Sequence, residues 1–482
     1  MVGITALLGW GAHHIGLAPH TLSVIAVCTF IAVICTTLFF WTHRVAVALL
    51  GVAVLIGSRA MTLHGMLRAT ELDIILFLIG MMVIVGALKD LGFLTWVIQA
   101  IINKKKMSGM TFTLILCCLS ALLASVIDEI SSIIVVLALV FLVCDTLKVR
   151  AAPFVLMSVI CTNIGSAATM LGNPVGIFIG NKAGFTFSQF LMGATPIALC
   201  ALLAAVLTLI IWFRQPIREM TRQMEEHRKA HQGLGPLIRI PYRRGLFVLL
   251  ATILIIVFHH QIENILGLTG AENKNAFLII TPLIIAGLLM IYRPQRARHY
   301  IEHDVEWWTL LFFMLLFAIA GGLDEQGVTR NLADKLSAWV IHSPHAMVPV
   351  VLGITAIGSA FIDNIVFVAA FTPVIQTLVQ HSSDYSTLWW ALLFGACFGG
   401  NITAVGSTAN IVALGLLEKH GHVHIGFFEW LKVGVLIGLV TGLIAWGLLT
   451  VMPMPHPADP RVQEAEVTGP LHEPHLSPLP AQ

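Results

Sequence analysis

The chain has 482 residues, 57% of them hydrophobic and only 11% charged, where an ordinary soluble domain carries roughly 25% charge. That deficit excludes a soluble globular enzyme, since a soluble body of this length needs charge to keep its surface wet; nothing in the sequence resembles a basic nucleic-acid-binding face, and the net charge of +2 says little until its placement is known. Apolar runs of about 17 to 25 residues recur, the length that crosses a bilayer's hydrocarbon core, and the alternating pattern of a membrane β-barrel is missing, so an all-α polytopic membrane protein is predicted.

In chain order, apolar segments are predicted at 21–41, 45–60, 72–88, 111–127, 130–147, 152–180, 189–213, 245–262, 276–292, 306–323, 346–362, 365–380, 387–417 and 427–452. The first twenty residues lack the basic start of a secretory signal, so the first span is expected to remain in the mature chain. Residues 1–70 read as N-terminal scaffold spans, 71–213 as a first repeat, 214–244 as a basic linker, 245–303 as joining spans and 304–452 as a second repeat. The tail 453–482 holds eight prolines in thirty residues and is expected to be disordered.

Basic residues in short loops mark the cytoplasmic face. Arg214, Arg218, Arg222, Arg228, Lys229, Arg239, Arg243 and Arg244 stand against three glutamates in the central linker and place it inside. Lys104 to Lys106, Lys148, Arg150, Arg293, Arg296 and Arg298 then also fall inside, and both termini outside. This describes an integral protein of a bacterial inner membrane, in contact with lipid. The eight cysteines all lie in apolar runs with no CxxC and read as small core hydrophobes. Trp307-Trp308 and Trp389-Trp390 read as membrane-interface anchors, His13-His14 and His259-His260 as interfacial residues, and the tail histidines as solvated. No cofactor, resident metal or ATP-binding motif is predicted.

Three landmarks recur in order, which suggests two inverted halves. ELDIILFLIGMMVIVGALKDLG from Glu71 matches DVEWWTLLFFMLLFAIAGGLDEQG from Asp304. SVIDEISSIIVVLALV from Ser125 matches SAFIDNIVFVAAFTPV from Ser359. TNIGSAATMLGNPVGIFIGNKAG from Thr162 matches GNITAVGSTANIVALGLLEKHG from Gly400. The offsets are 233 (Asp73 to Glu306), 235 (Asp128 to Asp363) and 238 (Asn163 to Asn401). Each half thus places an acidic turn inside an apolar hairpin, Asp128-Glu129 with Ser131 following, and Asp363-Asn364. A charge at membrane depth is costly and is kept where it faces a cavity. Re-entrant hairpins fit this pattern; two full spans joined at the surface are the alternative.

Each half also breaks a long apolar segment with polar and small residues: Thr162, Asn163, Gly165, Ser166, Thr169, Gly172, Asn173 and Pro174 in one, Gly399, Gly400, Asn401, Thr403, Gly406, Ser407, Thr408 and Asn410 in the other. Backbone freed at midplane is tolerated only where it lines protein or water. Freed carbonyls coordinate cations, half-helix N-termini attract anions, and hydroxyls and amides complete a shell for either; a tight crossing of small residues is the bland alternative.

A D-N-I turn followed by G-G-N-x-T-x-x-G-S-x-A-N resembles the ion transporter superfamily, and within it the arsenite permeases, NhaD-type sodium/proton antiporters and P-protein-like permeases, described by a citrate-transporter-like domain. The residues that carry the resemblance are Asp363-Asn364-Ile365 and Gly399 to Asn410, with Thr162 to Thr169 and Gly172-Asn173-Pro174 in the first half; it covers roughly residues 20–452. The resemblance implies two inverted repeats, each with a re-entrant hairpin and a broken transmembrane helix, and often a homodimer. Gly172-Asn173-Pro174-Val175-Gly176 stands where P-protein-like chains have G-D-P-P-N, and Asp128-Glu129-Ile130-Ser131 where arsenite permeases have N-D-G-A.

The leading expectation is a secondary transporter that binds a monovalent cation such as Na⁺ near Asp128, Glu129 and Asp363, with protons competing for the carboxylates. The alternative is a permease for arsenite or a carboxylate such as citrate; three acids and no arginine or lysine at the expected site weigh against a multiply charged anion. An intramembrane enzyme would need a Ser/His pair or an HExxH sequence, and neither is evident.

Overall fold

The computed structural model describes residues 20–102, 107–230, 241–266, 276–339, 344–421 and 424–456, with Gly11, His13 and Ala18 before them. Regular structure among the described residues is helical throughout. The N-terminal spans are α1 (Thr21–Phe39) and α2 (Arg44–Gly57), followed by the short α3 (Leu63–Ala69). The first half continues with α4 (Leu72–Asp90), α5 (Phe93–Ile102), α6 (Gly109–Val126), α7 (Glu129–Leu147), α8 (Ala152–Ser166), α9 (Pro174–Ala183) and α10 (Phe187–Trp212). Then come α11 (Arg214–Lys229), α12 (Arg243–Val257), α13 (His259–Leu266), α14 (Ala276–Tyr292) and α15 (Pro294–His299). The second half is α16 (Trp307–Glu325), α17 (Val328–Trp339), α18 (Pro344–Phe361), α19 (Asn364–His381), α20 (Leu388–Gly399), α21 (Thr408–Gly421) and α22 (Phe427–Val451).

The seven helices of each half follow the same order at similar lengths. They run 19, 10, 18, 19, 15, 10 and 26 residues in α4–α10 and 19, 12, 18, 18, 12, 14 and 25 in α16–α22. Packing corresponds too: α6 lies on α8 as α18 lies on α20, and α8 on α10 as α20 on α22. The halves exchange contacts, α7 packing on α21 and α19 on α9.

Glycine permits the closest of these approaches. A Cβ at Gly165 would fall on the Ala121 backbone, and one at Gly399 on the Ala356 backbone. Inside the breaks, Gly172 meets Ser166 as Gly406 meets Gly400. Thr169 Oγ1 donates to Ser125 O (2.5 Å), and Thr403 Oγ1 donates to Ala360 O. These pairs set the correspondence across the breaks at 234 (399 − 165, 403 − 169, 406 − 172). Asn163 and Asn401, matched at 238 in the sequence, therefore differ by four residues, about one helical turn.

Long helices such as α10 are apolar all round because lipid covers one side. Met192, Leu199, Leu203, Leu207 and Ile211 face outward, while Ala194, Ile197, Ala201, Ala205 and Leu209 are buried. Small residues on the inner stripe bring neighbouring backbones close, which is how helices associate in a bilayer. Six described helices are long and apolar enough to cross one.

Several expectations are corrected. Residues 214–229 of the basic linker form α11, which docks Ile217, Met220 and Met224 against α6; residues 231–240 lie outside the described residues. Trp389 and Trp390 are buried, Trp390 against Phe185 and Phe190, because α20 is enclosed on all sides. Residues 453–456 of the tail pack down: Met454 is buried, Pro455 O accepts from Trp390 Nε1 (3.4 Å) and His456 Nδ1 bonds Ser386 Oγ (2.5 Å). The tail from 457, like Lys104 to Lys106 and His14, lies outside the described residues. His259 is buried, its Nδ1 bonded to Ile256 O (2.8 Å), and the His260 side chain is not described. The cysteines are all free thiols, with Cys118 and Cys200 facing outward rather than into the core.

Candidate functional site

The breaks sit well inside the helical bundle. At 1.5 Å per residue, the fifteen residues of α8 run about 22 Å to its break, and the ten of α9 about 15 Å beyond it. The tips of the α6–α7 and α18–α19 hairpins meet these breaks through the Thr169 and Thr403 bonds. Four helices start here, each with a polar cap: α7 at Asp128, α9 at Asn173, α19 at Asp363 and α21 at Ser407. Their N-termini supply positive dipole ends to one region.

At the centre lies a chain of buried amides. Asn410 Nδ2 donates to Gly400 O (2.8 Å) and Thr403 O (2.9 Å), carbonyls freed by the second break. Its Oδ1 therefore accepts, from Asn163 Nδ2 (2.8 Å). The same Nδ2 donates to Asn401 Oδ1 (2.9 Å), and Asn163 Oδ1 accepts from Ser407 Oγ (3.1 Å). Each orientation dictates the next, so Asn401 Nδ2 ends buried with no hydrogen-bond partner. Thr162 Oγ1 is in the same position. In the first break, Asn173 Nδ2 donates to Ser166 Oγ (2.8 Å) and Cys397 Sγ (3.2 Å), while its Oδ1 caps α9 through Gly176 N (2.7 Å).

The acids divide by role. Asp128 is half-buried and accepts from Ser131 N at Oδ1 (2.7 Å), with the Ser131 hydroxyl also in contact with the carboxylate. Asp363 is 7% exposed; Oδ1 caps α19 through Ile365 N (3.3 Å) and Oδ2 accepts from Thr408 Oγ1 (2.5 Å). Glu129 is 6% exposed and caps nothing. Its Oε2 accepts from Ser166 Oγ at 3.3 Å, and it lies within electrostatic reach of Asp363 and Asp128. At the corresponding position Asn364 lies against Gly400, the counterpart of Ser166. With Nδ2 turned toward its acceptors, the two N–H groups of Asn364 are shared among Gly406 O (2.8 Å), Ala396 O (3.1 Å) and Ser359 Oγ (2.5 Å).

Arg44 is a further charged residue of the site, one that its sequence context does not single out. It sits at the start of α2, reads as a loop residue between spans, and is nonetheless 5% exposed. Its Nη2 donates to Thr309 Oγ1 (2.9 Å), its guanidinium lies 5.3 Å from the Phe312 ring centre, and its charge reaches Asp363. A cavity of about 120 Å³ lined by Ile34, Thr37, Phe312, Asp363 and Val405 lies on this side. The expectation of no basic group near the site is therefore corrected, because α2 packs against α16 and brings Arg44 to Thr309 and Phe312. Among the described residues no group of three His, Cys, Asp or Glu could hold a metal ion.

The candidate residues thus converge with different tasks. Glu129, Asn163, Ser166, Asn173, Asp363, Asn401, Ser407, Thr408 and Asn410 form one connected polar centre. Thr169 and Thr403 tie each break to its hairpin, and their hydroxyls accept from Leu171 N (3.1 Å) and Val405 N (3.3 Å).

A family model described as a citrate transporter, CitMHS, matches residues 30–395. An uncharacterised transporter of Mycobacterium bovis is 31% identical over 437 residues, covering 88% of this chain and 97% of its own length. The human P protein is 25% identical over 498 residues, covering 86% of this chain, which spans 58% of that longer protein. The crystal structure of the Alcanivorax borkumensis YdaH transporter superposes with a TM-score of 0.52 at 14% identity, covering 78% of this chain and 84% of that one, a likeness of fold.

Proposed function

Because the chain belongs to the CitMHS citrate transporter family of membrane transporters, we propose that it exchanges a monovalent cation such as Na⁺ for protons by alternating access. One observation carries this reading: Glu129 is a buried carboxylate with a single long hydrogen bond and no capping duty, left available to a cation or a proton. Freed carbonyls and the oxygens of Ser166 and Thr162 supply neutral ligands of the kind that hard cations take. One site that holds either ion and opens to each face in turn is sufficient for antiport.

The two halves are read as inverted, with both chain termini outside. Polar pairs support this: Lys89–Asp304 (4.0 Å), Arg296–Asp90 (3.1 Å) and His420–Asp145 (2.7 Å) join residues assigned to the cytoplasmic face. Lys182–Glu71 (2.5 Å) and Gln326 Nε2 to Ala60 O (2.7 Å) join residues assigned to the outer one. Pairing of two such chains through their scaffold helices belongs to the same reading.

A second reading, a carboxylate permease, is favoured by Arg44 beside Asp363, by the donor Asn401 Nδ2 and by four converging helix N-termini. Neutral arsenous acid would suit the same donors. Proteoliposomes carrying an internal pH indicator separate these, with Na⁺, citrate or arsenite added outside. Na⁺-driven proton flux that Glu129→Gln abolishes supports antiport. Wild-type flux in a correctly inserted Glu129→Gln protein would overturn it.

A further inference from the structure

Away from the central site, α12 and α14 leave an apolar groove of about 560 Å³ between them. Phe247, Val248, Ala251 and Ile255 form one stripe of α12, and Ile285, Leu288, Leu289 and Tyr292 the facing stripe of α14. Phe247, Leu288 and Tyr292 are more than half exposed, so no element among the described residues covers this surface. An apolar surface is ordinary on a membrane protein; the polar end of this one is not. Arg243 and Arg244 flank the mouth, and Arg244 Nη1 donates to Tyr292 OH (3.1 Å). The nearby carboxylate, Asp90, precedes the groove residue Leu91 and is taken by Arg296 at 3.1 Å. Among the described residues no carboxylate pairs with either groove arginine.

Length agrees with charge. From Arg244 to Ile255 is eleven residues, about 16 Å of helix, and one leaflet's hydrocarbon is about 15 Å deep. The groove therefore runs from the headgroup level to midplane, with its basic mouth in the cytoplasmic leaflet, where anionic lipids attract clustered arginines. We propose that this groove binds an anionic glycerophospholipid, its phosphate between Arg243, Arg244 and Tyr292 and one acyl chain along the two stripes.

The test uses the full chain purified in detergent, with phosphatidylglycerol or phosphatidylcholine added in mixed micelles, read by native mass spectrometry and thermal shift. Two surface arginines predict a preference for phosphatidylglycerol of about 30-fold. Arg243→Ala with Arg244→Ala should abolish that preference while leaving phosphatidylcholine retention unchanged. Leu288→Trp, which fills the groove, should reduce retention of both lipids. Equal retention of the two lipids by the wild type overturns the proposal, as does a preference that survives the double substitution. A dimer that dissociates in Leu288→Trp with no change in lipid retention also overturns it, because the groove would then be an interface between two copies.

Discussion

Asn163→Ala tests whether the central amides join the two halves of the chain. The substitution removes three bonds, to Asn401 (2.9 Å), Asn410 (2.8 Å) and Ser407 (3.1 Å), the partners lying 238 to 247 residues away. Hydrogen bonds between membrane helices average about 0.6 kcal/mol each, so three give about 2 kcal/mol. Asn401 Oδ1 and Asn410 Oδ1 would also be stranded in the protein interior, and a buried polar atom without a partner costs about 1 to 3 kcal/mol. The expected loss is therefore about 4 kcal/mol or more. Ser158→Ala is the control. Ser158 is equally buried on the same helix, but its hydroxyl only returns to Phe154 O (2.7 Å), and its loss should cost less than about 1 kcal/mol. Chemical unfolding in detergent, paired with flux in proteoliposomes, reads both variants. If Asn163→Ala unfolds at the same denaturant concentration as Ser158→Ala, the amides do not hold the halves together and the reasoning fails.

Asp363→Asn should retain the α19 cap, since Asn caps as well as Asp, and lose transport; Asp363→Ala should lose both, with about 1 kcal/mol of stability, as unfolding measurements would show. Gly165→Val should lower the yield of folded protein sharply, because its side chain would enter the Ala121 backbone, whereas Gly287→Ala, with open space around it, should be neutral by size-exclusion chromatography. Glu71→Lys alone should slow transport through repulsion of Lys182, and adding Lys182→Glu should restore it; equal flux in the single and double variants would mean the pair has no influence. Glu219→Ala on α11 should leave thermal unfolding unchanged, since the Glu219–Arg222 pair lies exposed on the helix surface.

Spans and breaks were readable because each depends on a few neighbouring residues. Apolar length set the helices, and Gly172-Asn173-Pro174 and Gly399-Gly400 marked where two of them stop. The match at 238 failed by one turn because asparagines were aligned by type, whereas the glycines that let backbones touch align at 234. Arg44 was not legible because a basic residue ahead of an apolar run reads as a loop residue between spans, and only the packing of α2 on α16 buries it. Trp389 and Trp390 misled for the same reason, since aromatic type does not tell an enclosed helix from one at the membrane surface.

The sequence by itself determined that the chain lies in a membrane, that charge is scarce there, and that Asp128, Glu129 and Asp363 are placed where charge is expensive. Those are properties of single residues and their immediate neighbours. The tertiary structure decided which of the three is free: two carboxylates cap helices, and Glu129 does not. It also decided that Asn163 meets Asn410 across 247 residues. In helices apolar on every side, no hydrophobic stripe announces which face turns inward. Rotation and tilt are set by close packing of small residues against distant partners, and that information exists only once the helices have met.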